Sequence, residues 1–191
     1  MFNFNFPKTI QMVKRILQNN GGILNYTKLI KLLYIIEKES LNVSGRPVSG
    51  DDYVSMDNGP VLSTVYDLIT GKCQNRTWQT EWDNLFNTNV FNLEYKSTLT
   101  NKIEQEFSEL NEEELELIDN IDNGFKDFDW REMIRYTHNK NLFPEWEFPY
   151  GSSNPINVID ILKNLRKTDV EISNIEKDAN ELKYIEKVLS K

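Results

Sequence analysis

One histidine and one cysteine are all the chain offers for imidazole or thiolate chemistry, His138 and Cys73. Any Ser-His or Cys-His machinery must therefore run through His138, in "RYTHNKNLFPEW". The hydroxyls around it carry no glycine pattern of a nucleophile elbow. Its place near the end of a predicted helix assigns it to organising a turn: a helix C-terminus favours the imidazolium, with Glu145 or Trp146 as the group packed beside it. With one Cys and one His, a metal would have to rely on carboxylates. "DNIDNGFKDFD" lacks both the glycine register of a calcium loop and its closing bidentate Glu. "SGRPVSG" and "DNGP" match neither dinucleotide-binding nor P-loop glycine spacing. The residues thus predict a protein that is not an enzyme and holds neither cofactor nor metal.

The 191 residues are expected to fold as a single domain spanning 1–191, long enough to bury a core without staples. At 39% hydrophobic and 27% charged, the chain has the composition of a globular protein. It has no apolar run near the roughly 20 residues of a membrane span. "MFNFNFPK" lacks the basic and apolar regions of a secretory signal, so a cytoplasmic location and no membrane partner are expected. The formal charge of −8 is unevenly spread. Residues 1–50 carry seven Lys/Arg against two Asp/Glu, a net +5, which leaves −13 for the remainder. From Glu104 to Asp122 there are nine acidic side chains and no basic one. Such a run repels nucleic acid and suits either a basic protein partner or a solvated helix face. Two basic N-terminal helices around Gly21-Gly22 have a loose helix-turn-helix spacing, but the second is too apolar to read a groove, so nucleic acid is not expected as a partner.

These residues need elements to position them. Ile10, Val13, Ile16 and Leu17 recur at helical spacing until Gly21-Gly22. "TKLIKLLYIIEKESL", Thr27 to Leu41, is apolar around most of its circumference and should run through the centre. "DYVSM" reads as one strand of a hairpin near 48–56, with "PVS" as its partner, and Pro60 fits the first position of the next helix, "VLSTVYDLI", which Gly71 ends. Residues 72–98 read as irregular with one further strand near 89–96, from the alternation in "NVFNLEY". Capping-box spacings at Asn111/Glu114, Asp129/Glu132, Asn157/Asp160 and Thr168/Glu171 open four more helices, the last running towards Lys191. The expected class is mainly α: a single compact helical domain of about seven helices with a small antiparallel β element.

Taken in order, "KLIKLLYIIEKESLNVSGRPVSGDDYVSMDNGPVLSTVYDLI", "FDWREMIRYTHNKNLFPEW" and "PYGSSNPINVIDIL" resemble the Panacea domain family, the SocA-like antitoxin domain that also occurs in phage proteins. The resemblance covers about residues 8–175. It implies an antitoxin that neutralises a co-encoded protein toxin by direct contact. It implies as alternatives an adaptor that delivers its toxin to an AAA+ protease, or a phage-borne protein that counters host toxins or defences. The motif carries over to Tyr34, Gly45, Arg46, Pro47, Gly59, Pro60, Tyr66, Asp67, His138, Glu145 and Trp146, as signature or toxin-binding residues. Arg46 stands beside a turn, where a guanidinium can grip Asp67 bidentately, brace a loop to Glu145 or face the toxin. Glu112, Glu113 and Glu116 are the candidate acidic docking face for a basic toxin.

Overall fold

The computed structural model describes residues 1–96 and 107–189. Its organising element is α2 (Tyr26–Ser44), which begins where the Asn25 side chain accepts the N–H groups of Thr27 and Lys28. It ends at Gly45, whose φ of +71° is a left-handed cap that bonds back to the Leu41 carbonyl. Leu29, Leu32, Leu33, Tyr34, Ile36 and Leu41 are fully buried, so this helix is the core that its apolar circumference predicts. α1 (Phe6–Asn19) packs beside it with Met12, Val13, Ile16 and Leu17 inward, and turns away at Gly21-Gly22.

Two three-stranded antiparallel sheets flank these helices. One runs β1 (Ile23–Asn25), β5 (Asn92–Tyr95), β4 (Phe86–Asn89) in spatial order. The other runs β3 (Gly59–Leu62), β2 (Tyr53–Met56), β6 (Asn154–Ile156). The second sheet corrects the expected hairpin: "DYVSM" does form a strand, but its partner is Gly59–Leu62, not "PVS". Pro60 is therefore in a strand, opposite Ser55, rather than at a helix start. Both placements suit proline, because β3 is an edge strand where a missing N–H costs no ladder bond. The helix that follows, α3 (Ser63–Ile69), has no cap from the residue before it. Buried Asp51 supplies one from a distance, accepting the N–H groups of Thr64 and Val65 at 3.0 Å each.

Residues 72–98 are more regular than expected as far as Lys96. α4 (Arg76–Leu85) starts at an Asn75 cap and buries Trp82, and β4 and β5 form a hairpin where one strand is predicted. α5 (Glu112–Gly124) and α6 (Trp130–Thr137) open on complete capping boxes at Asn111/Glu114 and Asp129/Glu132. At α7 (Val158–Asn164), Asn157 caps Ile159, and at α8 (Asp169–Leu189) Thr168 and Glu171 bond reciprocally. The protein is mainly α with a small β element. Eight helices stand among the described residues, α4 being the one that the sequence pattern conceals. Residues 190 and 191 of the expected C-terminal helix, and Glu104 and Glu106 of the acidic run, lie outside the described residues.

Candidate functional site

The signature residues divide into three places. The first is built where the β2–β3 hairpin meets the end of α6. His138 caps α6, with its N–H on the Ile134 carbonyl, and its ring stacks on Trp146 at 4.0 Å and 11°. Trp146 is 6% exposed and donates from Nε1 to the Met56 carbonyl at 2.9 Å, which ties the 143–147 segment to β2. Trp146 is thus the group beside His138, whereas Glu145 lies elsewhere. The helix end does not hold His138 charged. Burial lowers its pKa first, the Lys31 and Lys140 charges lower it further, and a backbone bond with Asn58 opposes them. The balance of these effects favours the neutral imidazole.

Gly59 makes this junction close. At φ +100°, a β-carbon there would stand 2.8 Å from Thr137 Oγ1, 3.2 Å from Lys31 Nζ and 3.3 Å from His138 Cδ2. Lys31 itself is 1% exposed and donates to the Pro60 carbonyl at 2.8 Å. A cavity of about 200 Å³ opens on it, lined also by Tyr66, Tyr26, Asn58 and Ser152. Burial pulls the Lys31 pKa down to about 7, and burial likewise raises the carboxyl of Glu37, one and a half turns on, to about 7 despite bonds from Ser49 and Tyr53.

These two groups predict an unusual pH profile. From about 4.3 to 7 the folded chain keeps a proton on Glu37 that the unfolded chain releases, so stability falls with rising pH. From 7 to about 10.4 the unfolded chain keeps a proton that Lys31 has lost, so stability climbs. Between pH 7 and 9 that climb is expected to be roughly 2 to 3 kcal/mol in the wild type and absent in Lys31→Met. Urea unfolding of both proteins at pH 7, 8 and 9 measures it; parallel profiles would contradict a buried, readily neutralised Lys31.

The second place is the seam between α2 and the 142–146 segment. The Glu145 side chain is fully buried and accepts from Tyr34 Oη at 2.9 Å, Lys38 Nζ at 2.7 Å and Asn164 Nδ2 at 3.2 Å. Lys38 also donates to the Leu142 carbonyl at 2.6 Å and lies over the Phe143 ring. Burial first, and then the Glu145 carboxylate, hold the Tyr34 phenol well above its ordinary pKa.

The third place is the outer surface, and it separates Arg46 from both expected carboxylates. Arg46 pairs with neither Asp67 nor Glu145. It reaches Asp178 on α8 at 3.5 Å, with both side chains more than half exposed. Gly45 causes this: it turns the chain outward after α2, and Ser40 and Ser44 hydroxyls then hold the Arg46 carbonyl. Arg46 and Pro47 line a groove of about 550 Å³ between α1, the end of α2, α5 and α8, with Glu113 on its α5 side. Tyr66 and Asp67 are half-buried on α3, remote from that pairing. Glu112, Glu113 and Glu116 are exposed on α5. The inner acids of the same helix face the basic α1: Glu114 pairs with Lys8, and Asp119 takes Arg15 bidentately at 2.8 and 2.6 Å. The charge asymmetry of the sequence is thus partly satisfied inside the fold.

Lys31, Lys38, Glu37 and Asp51 are the residues that sequence reading passes over. A signal existed: Lys31, Tyr34 and Lys38 recur at three and seven residues, which puts polar heads on one face of an otherwise apolar helix.

A family model described as antitoxin SocA-like, Panacea domain, matches residues 29–147. The match begins in α2, ends just past Trp146 and covers more than half of the chain, which therefore belongs to this family. It is narrower than the 8–175 of the motif resemblance; β6, α7 and α8 lie beyond it. Neither a search of curated proteins nor one of solved structures finds a match.

Proposed function

We propose that this chain is a non-enzymatic antitoxin that binds a co-encoded protein toxin directly and blocks it. The family match over residues 29–147 carries the reading. The partition of the signature residues supports it: Tyr34, Glu145 and Trp146 are occupied with one another and with backbone, while Arg46, Pro47 and the α5 carboxylates are turned outward. The toxin then meets the exposed set, Glu112, Glu113 and Glu116 together with the groove at Arg46, and a basic toxin surface is the complement. No described helix is long and apolar enough to cross a membrane. A cytoplasmic encounter with the toxin is part of the same proposal.

Replacing Glu112, Glu113 and Glu116 together by lysine is expected to slow association about tenfold or more at low salt, an effect that fades as salt screens it. Stability should change little, because all three are exposed. Stopped-flow association at two salt concentrations and cell protection measure this; unchanged rates and protection would remove that face from the interface. A blocker also protects cells that lack their AAA+ proteases, whereas loss of protection there would make the chain an adaptor.

A further inference from the structure

Lys31 is a charged group in a place that gives it almost nothing. Its ammonium has three N–H donors, is 1% exposed and has one bonded acceptor, the Pro60 carbonyl. Among the described residues no carboxylate pairs with it. The other buried ammonium on the same helix face, Lys38, has Glu145, the Leu142 carbonyl and the Phe143 ring. Burying an unpaired cation is expensive, and an apolar side chain of similar length would fill the same space without that cost.

The surroundings favour an outside partner for this charge. The cavity that opens on Lys31 carries the hydroxyl and amide groups of Tyr26, Thr27, Tyr66, Asn58 and Ser152 beside apolar Ile30, Met56 and Val61. The one carboxylate at its rim, Asp57, already accepts the Gly151 N–H at 2.9 Å, which fixes the hairpin tip as a wall. His138, which meets Gly59 from the same side as Lys31, cannot compensate the charge either, because an imidazole is at most neutral, and its buried Nε2 has no hydrogen-bond partner. About 200 Å³ suits a carboxylate on a short stem.

We propose that the cavity over Lys31 is a carboxylate-binding site that receives an acidic side chain or chain end of the partner protein. Lys31 neutralises the carboxylate, and the hydroxyl and amide groups around the cavity supply hydrogen bonds to its oxygens. The identity of the carrier rests on the antitoxin reading; the site itself does not, and it is testable without any toxin. Bound carboxylate would pull a proton onto Lys31, which ties occupancy to pH around neutrality.

The test uses the full chain with 13C-labelled lysine side chains, titrated by NMR in sodium acetate and in sodium chloride of equal ionic strength. The expected result is one lysine signal that titrates near neutral pH in chloride and at least one pH unit higher in saturating acetate, with a saturable rise in Tm. Lys31→Met removes the signal and the Tm rise. Ser152→Trp, a change at an exposed position of the rim, leaves Lys31 in place and blocks the response. N-acetylglycine and N-acetylglutamate amide binding more tightly than acetate assigns the carboxylate to a protein chain; equal binding assigns it to a free small carboxylate. Acetate and chloride giving the same lysine titration and the same Tm would overturn the site. Failure to find a toxin complex would leave the acetate response intact, so the two ideas fail separately.

Discussion

Glu145→Ala is expected to remove roughly 3 to 5 kcal/mol of stability, a large share of the 5 to 15 kcal/mol typical of a domain. The carboxylate is completely enclosed and serves three donors at once: Tyr34, Lys38 and Asn164. Its removal leaves Lys38 in a nearly closed site with only a carbonyl and a ring, and leaves the buried Tyr34 hydroxyl without its acceptor. Glu145→Gln keeps the shape and one acceptor oxygen but discards the charge, so its loss should lie between those of wild type and alanine. Urea midpoints with unchanged slope give both values. A double-mutant cycle with Tyr34→Phe should show a coupling of about 0.5 to 3 kcal/mol, as expected for residues in direct contact. A loss below about 1 kcal/mol for Glu145→Ala would contradict the network, since such a value belongs to an exposed ion pair. The same result bears on function, because a residue spent on holding the 142–146 segment to α2 is not free to grip a partner.

Gly59→Ala is the second large effect, with an expected loss of about 2 to 5 kcal/mol. Part of it is backbone: a side chain at φ +100° costs about 1 to 2 kcal/mol wherever it occurs. The rest is space. The new methyl meets Thr137 Oγ1, which is bound to the Met133 carbonyl, Lys31 Nζ, which is held on the Pro60 carbonyl, and His138, which is stacked on Trp146. The closest of them, Thr137, sits on a short side chain that cannot swing away without losing its bond, so overpacking adds about 1 to 3 kcal/mol. The Tm should drop by roughly 4 to 20 °C for a chain of this size. Gly71→Ala is the control, because Gly71 has φ +72° but nothing within 4 Å, and only the backbone part should appear. Equal losses at both positions would mean that the hairpin does not press on α6.

What was legible in the sequence was local. Asn111/Glu114 and Asp129/Glu132 are visible at three-residue spacing because the capping bonds join those same residues. The apolar run around most of α2 announced the helix as the core. What stayed hidden depends on residues far apart. The cap of α3 comes from Asp51, twelve residues before the helix begins, so nothing adjacent to Ser63 marks the start, and Pro60 fitted a helix or an edge strand equally well. The partner of "DYVSM" was mistaken because "PVS" and "GPVL" both flank it, and only the Asp57-Asn58 turn with Gly59 at positive φ selects the second. Arg46 had plausible carboxylates at Asp67 and Glu145, but the direction in which Gly45 releases the chain is a tertiary fact, and it leads to α8. The candidate acidic face was legible as composition, whereas its division into inner acids paired with α1 and outer acids facing solvent was not.

The most direct test of direct toxin binding is co-expression with the product of the reading frame next to its gene, followed by affinity capture and size-exclusion chromatography. The account predicts growth in place of arrest, and co-elution of the two proteins in a fixed ratio that survives in purified buffer. Growth arrest unchanged by the chain, or protection with the two proteins eluting separately at micromolar concentration, would contradict it.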